Sequence, residues 1–194
     1  MMLRAPVLSR VLVIRPGATS FDDEQRIKGS LDMPLSDQGR VQVDAMASEL
    51  ADVPVKTIFS APCESAVETA ERLAKGRDIR VKVLDGLKNI DHGLWHGKLI
   101  EEMRRNQPRV YRTGQECPDD LCPPGGEAIR DARTRVMKTV RKVARKHHDE
   151  IVAVVAPEPM ASIIRSSLSG QPLLNLWHLQ TDSANWDLVE TEIA

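Results

Sequence analysis

The chain has 194 residues, 41% of them apolar and 3% aromatic, with 27 basic and 28 acidic side chains for a formal net charge of −1. This length can bury a core of ordinary domain size, and the composition excludes a disordered chain. A charge so near balance gives no support for nucleic acid or an acidic membrane as a general partner, and the longest apolar runs, such as 151–156, are far too short to span a bilayer.

Residues 1–10 contain no apolar region of signal-peptide length, so a soluble, cytoplasmic protein is expected. The three cysteines, Cys63, Cys117 and Cys122, are an odd number, which argues against a disulfide framework. Cys117 and Cys122 could form half of a metal site. No paired Cys or His cluster completes it, so loop thiols are expected, with no metal and no cofactor.

In chain order, Val7 to Ile14 reads as a buried strand. Residues 15–35 form a long loop, of the kind that is usually functional in a compact domain. Ser36 is a good N-cap for a helix to about Ala51, with Gly39 tolerating close packing and Val41, Ala45, Ala47 and Leu50 as its apolar face. Val55 to Ser60 is the second strand, and Pro62 opens a helix to about Lys75. Ile79 to Leu84 alternates apolar with basic residues, as a half-exposed strand near a sheet edge does. A loop over 85–97 and a short helix from Leu99 to Asn106 follow. Residues 107–124, proline-rich and polar, read as a surface loop.

Gly125-Gly126-Glu127 introduces a long helix to about His147, with basic residues in its last turns, where the helix dipole favours them. Ile151 to Ala156 is a further buried strand. Pro159 suits the first turn of a helix ending near Gly170, and Asn185 to Glu190 closes the order. Strands alternating with helices predict an α/β fold: a three-layer α/β/α sandwich around a mostly parallel (mixed) sheet. No internal repeat or linker divides the chain, so residues 1–194 are read as a single domain.

The stretch Arg15-Pro16-Gly17-Ala18-Thr19 ends the first strand. Open α/β sheets place their ligands at such strand ends. It resembles the signature of the histidine phosphatase (phosphoglycerate mutase-like) superfamily, in which a strand ends in Arg-His-Gly-Glu-Thr or Arg-His-Gly-Glu-Ser. Further blocks follow the same family in order: Arg26-Ile27-Lys28-Gly29 with Asp32 and Pro34-Leu35-Ser36; Gly39 and Gln42; Ser60-Ala61-Pro62 with Ala66, Thr69 and Ala70; Gly93-Leu94-Trp95-His96-Gly97; and Pro124-Gly125-Gly126-Glu127 with Asp131 and Arg135. The similarity runs over about residues 11–190 and implies a phosphoglycerate mutase-like fold.

The resemblance also implies roles for particular positions. Arg15 matches the family's first phosphate-binding arginine. Pro16 stands at the nucleophilic histidine, Ser65 at the second phosphate-binding arginine, Asn89 at the acid/base glutamate and Pro157 at the second histidine. Asp22 and Glu158 stand where the family has neutral groups. A phosphohistidine mechanism needs an imidazole nucleophile, which proline cannot supply. It also needs cationic donors around the phosphoryl oxygens, each hydrogen bond to a charged group contributing roughly 1.5–3 kcal/mol. No catalytic residue is therefore assigned. Arg15, Thr19, Asp22, Arg26, Ser65, Asn89, His92 and Glu158 are the candidate pocket residues. Arg15 is expected to pair with Glu158 or Asp22, with Glu158 favoured by its helix N-terminus.

Three functions remain open on this reading. The first is a catalytically inactive member of the family, a pseudoenzyme with a binding or regulatory role. The second is a divergent enzyme using the same cleft with another nucleophile, drawn from Cys63, His92, His96, Thr19 or a carboxylate, or a residual phosphatase or mutase acting on a phosphomonoester. The third is a fold with no selected role for its cleft. His147 and His148 end a basic helix and read as solvated; Lys138, Arg141, Lys142, Arg145 and Lys146 read as a solvated face, with protein or anion contact as the other reading. The partner is an unspecified small molecule or protein, with no nucleic acid and no membrane, and the protein is a monomer or homodimer.

Overall fold

The computed structural model describes residues 7–173, 175–177 and 184–193. His178, one of the five histidines, lies outside them. Five strands form one sheet in the order β3-β2-β4-β1-β5, where β1 is Val7–Ile14, β2 Val55–Ser60, β3 Arg80–Val83, β4 Ile151–Val155 and β5 Trp186–Ile193. β1, β4, β2 and β3 run parallel, and β5 is antiparallel to β1. The central strands are the apolar runs: Val11–Ile14 and all of β4 are buried. The alternating β3 lies at one edge, as its pattern predicts.

Helix α2 (Asp37–Glu49) leads from β1 to β2, and α3 (Glu64–Ala74) from β2 to β3. Helix α6 (Ile129–Lys146) brings the chain back to β4, and α7 (Met160–Ser169) leads to β5. Connections between parallel strands are right-handed, and β1 to β2 to β3 steps one way along the sheet while β3 to β4 steps the other, which puts α2 and α3 on one face and α6 on the opposite one. Accordingly α2 packs on α3, and α3 on β2, β3 and β4, whereas α6 packs on α7 and both cover β1 and β5. The result is the expected three-layer sandwich.

Four local expectations need correction. The apolar face of α2 is Val43, Met46 and Leu50, not Val41 and Ala45, which are exposed. Gly39 fixes that phase. A Cβ there would clash with the Ala18 carbonyl, and one at Gly17 would lie 2.8 Å from Val43 Cγ2, so the Gly39–Val43 side must face the β1 turn. Helix α3 begins after Cys63, which takes the N-cap position, so Pro62 lies outside it. The long loop after β1 holds one helical turn, α1 (Ser20–Asp23). Residues 107–124 are not simply a surface loop: α4 (Ile100–Asn106) is followed by α5 (Pro108–Glu116) and a 3₁₀ turn at Pro118–Asp120. Pro108 takes the first turn, where its missing N–H costs nothing. Tyr111 stacks on Trp177 with ring centroids 5.7 Å apart, and the Trp177 indole donates to the Tyr111 carbonyl at 2.8 Å. The partner that orders α5 is 66 residues away in sequence.

Candidate functional site

β1 and β4 end side by side. Ile14 pairs with Val155, and the Ala156 amide donates to the Ile14 carbonyl at 3.0 Å. Pro16 and Pro157 follow on adjacent strand ends, and both are buried. Proline biases its predecessor towards extended backbone, which Arg15 and Ala156 need at this point.

Between these ends lies a buried ion pair. Glu158 Oε1 is 3.3 Å from Arg15 Nε, with side-chain exposures of 7% and 12%. The same oxygen accepts from the Ser162 hydroxyl at 3.0 Å, while Oε2 is buried without a hydrogen-bond partner. Burial raises the Glu158 carboxyl above the ordinary carboxylate range, against the pull of Arg15 and of the Ser162 hydroxyl and amide. Of the two carboxylates that could meet Arg15, Glu158 does so. Asp22 turns elsewhere, capping the Thr19 amide and hydroxyl at 2.8 Å each and accepting from Lys28 Nζ at 2.8 Å. Arg15 is therefore not the sole strong cation near this turn, because Lys28 is a second buried one.

The turn after Arg15 has no spare donors at Gly17, Ala18 and Thr19. Their amides go in succession to Thr69 Oγ1, Gln42 Oε1 and Asp22 Oδ2, at 3.3, 3.0 and 2.8 Å. Successive backbone amides make an anion nest only when they are unsatisfied. Here the chain's own side chains occupy them.

Asn89 is committed in the same way. Its amide nitrogen donates to the carbonyls of Gly29 (2.8 Å) and Glu158 (3.0 Å), and its oxygen accepts from the Ile90 amide at 2.9 Å. Asn89 thus ties the Gly29 turn to the end of β4. A glutamate there would lose both donors.

The remaining candidates are placed as follows. Ser65 is buried in the first turn of α3, with its amide donated to the Met33 carbonyl and its hydroxyl 3.8 Å from the Cys63 sulfur. Arg26 anchors its loop through Glu24 (2.6 Å) and the Gly97 carbonyl (2.8 Å). His92 is 1% exposed; burial, helped by His96, lowers its pKa to about 4, and its Nδ1 has no partner. His96 Nε2 accepts from the amides of Ser30 and His92 at 3.2 Å each, so it is not available as a base. Thr19 is fully buried. His147 departs from the solvated reading: it meets the edge of the Phe59 ring and lies 3.2 Å from Glu150.

An open cavity of about 470 Å3 lies outward from this cluster. Asp32, Cys63, Lys88, Asn89, Asp91 and Glu127 are among its lining residues. Of the eight candidate pocket residues, Asn89 alone lines it. Two loops build the rim back to back: the Leu94 amide donates to the Pro124 carbonyl (3.0 Å) and the Glu127 amide to the Asp91 carbonyl (2.8 Å). Gly93 and Gly126 allow this approach, since a Cβ on Gly126 would lie 2.8 Å from the Gly93 amide nitrogen. Glu127 belongs to the Pro124–Glu127 motif and Asp91 lies two residues before the Gly93–Gly97 motif, and neither is among the eight candidate pocket residues.

Glu127 is neutralised by a two-point pair with Arg135 (2.9 and 2.8 Å). Asp32, Asp91 and Lys88 supply the remaining lining charge, a balance unsuited to a dianionic phosphate. The Cys63 thiol is pushed up by burial, opposed by nearby Lys28, and so is mostly protonated at neutral pH. Among the described residues, no group of three or more His, Cys, Asp or Glu is placed to hold a metal, and no helix is long and apolar enough to cross a membrane.

Comparison with known proteins places this geometry in context. The family profile described as "Histidine phosphatase superfamily (branch 1)" matches residues 11–193. "Phosphoserine phosphatase 1" of Hydrogenobacter thermophilus is 27% identical over 183 residues, covering 94% of this chain and 87% of that protein. Among solved structures, "Mycobacterial hydrolase 1" superposes with a TM-score of 0.82 at 24% identity, over 94% of this chain and 92% of that one. A mycobacterial glucosyl-3-phosphoglycerate phosphatase superposes with a TM-score of 0.78 at 24% identity, over 93% and 97%.

Proposed function

Because this chain belongs to the histidine phosphatase superfamily (branch 1), we propose that it is a member without phosphohistidine catalysis, whose phosphoryl site is closed by its own residues and whose role is to bind a ligand or regulate a partner. The observation that carries this reading is the buried pair of Glu158 with Arg15, 3.3 Å apart between two strand ends that each continue into a proline. In this reading Glu158 is the anion that the family's site would take from its substrate. Pro16 and Pro157 provide no imidazole to attack or relay a proton, and Asn89 neither gives nor takes one. The 470 Å3 cavity outside the pair is the space left for a ligand.

The test is an assay with phosphoserine, a phosphoglycerate and p-nitrophenyl phosphate, together with acid-quench labelling for a phosphoenzyme. Phosphoserine comes first because a 27% identical relative is named a phosphatase of that compound. Turnover at the buffer blank and no acid-labile label are expected. A rate that scales with protein and vanishes in Arg15→Ala overturns the reading.

A second reading keeps an enzyme with different chemistry, and Cys63 is the observation in its favour, since its side chain lines the open cavity. Its raised thiol pKa weighs against it. Loss of any detected activity in Cys63→Ser would turn the choice towards this second reading.

A further inference from the structure

Away from the cleft, α6 and the chain that follows α7 enclose an open groove of about 950 Å3. Along one wall α6 presents Lys138, Arg141, Lys142 and Arg145, all exposed. Spacings of three, four and seven residues put them on one helical face, in a row about 10 Å long at the helical rise. Arg133, nearer the start of α6, is already engaged by Asp119 at 2.7 Å and by the Ser167 hydroxyl at 2.7 Å.

Several surface basic side chains have acids beside them. Arg40 has Asp37 and Glu68, Arg72 has Asp44 and Glu68, and Arg104 and Arg105 share Glu101. Lys138, Arg141 and Lys142 have no such partner among the described residues. Like charges four residues apart on a helix repel one another, so Lys138 and Lys142 work against α6 unless something meets them. In a chain of net charge −1, the row is a local concentration of positive charge.

The facing wall narrows the choice of partner. It includes Ser166, Gln171, Pro172 and Leu173, with Met137 at the base. Among the described residues no aromatic ring lines the groove for bases to stack on, as single-stranded nucleic acid would use. Apolar groups are present that a small inorganic anion would not use. An extended peptide places alternate side chains about 6.6 Å apart. The cations one turn apart, Lys138 and Lys142, are separated by about 6 Å along the axis.

We propose that this groove docks an acidic segment of a partner protein, its alternate carboxylates meeting Lys138, Arg141 and Lys142 and its apolar side chains lying over the exposed Pro172. This surface is independent of the cleft and stands whether or not the cleft is catalytic.

Fluorescence anisotropy with the full chain tests it. The probe is a labelled ten-residue peptide alternating Glu with Ser and Leu, and a Lys-for-Glu version serves as control. Saturable binding of the acidic probe alone is expected, weakening as salt rises. Lys138→Glu with Lys142→Glu should weaken binding at least tenfold and the Gln versions less, while Lys75→Glu with Arg80→Glu, at the end of α3 and in the edge strand β3, changes it by under twofold. All these residues are exposed, and circular dichroism verifies that each variant is folded. Three outcomes overturn the proposal: no binding of the acidic probe, an equal loss in the Lys75/Arg80 variant, or displacement by equimolar inorganic phosphate or single-stranded RNA.

Discussion

Glu158 Oε1 lies 3.3 Å from Arg15 Nε where β1 and β4 end in register, and both side chains are nearly excluded from water. A buried pair of this kind is a weak net source of stability, but losing one partner leaves a charge stranded. Arg15→Met should therefore destabilise the fold by on the order of 3 kcal/mol in urea titrations, and Arg15→Met with Glu158→Met should recover most of that loss. The sign of the pH effect follows from the raised Glu158 pKa. The folded state holds this proton more readily than the unfolded one, so acidification favours folding at this site. The deficit of Arg15→Met should shrink as pH falls towards the folded pKa of Glu158. A deficit that is constant with pH, or absent, would show the pair to be uncoupled.

Removing the internal anion should admit an external one. In Glu158→Ala, 10 mM phosphate or vanadate is expected to raise the melting temperature by about 2–4 °C, the shift that corresponds to ~1 kcal/mol of native-state binding at this size. The unaltered protein should show no shift. The effect stays small because the amides of Gly17, Ala18 and Thr19 are already taken and Lys28 is held by Asp22.

Restoring histidine should not restore chemistry. Pro16→His, alone or with Pro157→His, is expected to form no acid-labile phosphoenzyme, because groups that act as a unit fail together and Glu158 still sits on Arg15. Label in either variant would show that the site accepts phosphate despite Glu158.

His92 predicts an acid sensitivity of definite range. Its pKa is about 4 in the fold against 6.5 for the free side chain. The unfolded chain binds the extra proton between those values, so the stability associated with neutral His92 is complete above about pH 6.5 and is lost as pH falls towards 4. Linkage puts the loss at roughly 3 kcal/mol. His92→Phe should flatten that part of the stability profile relative to the parent, since Nδ1 has no hydrogen bond to forfeit. Equal slopes in both proteins between pH 4 and 6.5 would rule this out.

Helix α5 is held by Trp177 lying over Gly114. A Cβ at Gly114 would run into the indole, 2.8 Å from Cζ2. Gly114→Ala should cost about 1–3 kcal/mol by overpacking, despite alanine's better helix propensity, and should change the tryptophan fluorescence. A neutral or stabilising result would mean that this indole moves aside freely.

Residue order by itself determined the frame. The unbroken apolar runs Val11–Ile14 and Ile151–Val155 could only be central strands. The alternation over Ile79 to Leu84 pointed to a strand near an edge, and Ser36 and Gly170 set helix ends, because these signals act over a few residues. The family resemblance put Arg15, Asn89 and Glu158 at one end of the sheet, charge made Glu158 or Asp22 the partner of Arg15, and the helix N-terminus favoured Glu158. What lay beyond sequence were choices between partners far apart in the chain. Asp22 could have met Arg15 but is drawn to Thr19 and Lys28, which α1 brings within 2.8 Å. The phase of α2 was set by a glycine contact with the β1 turn, which outweighs an apolar face read from the helix alone. Helix α5 depended on a tryptophan 66 residues onward. The open cavity took Asp91 and Glu127 from two loops whose backbones meet only in the folded chain. Local pattern carries burial and periodicity, whereas the pairing of buried polar groups is decided by distances that exist only once the sheet has formed.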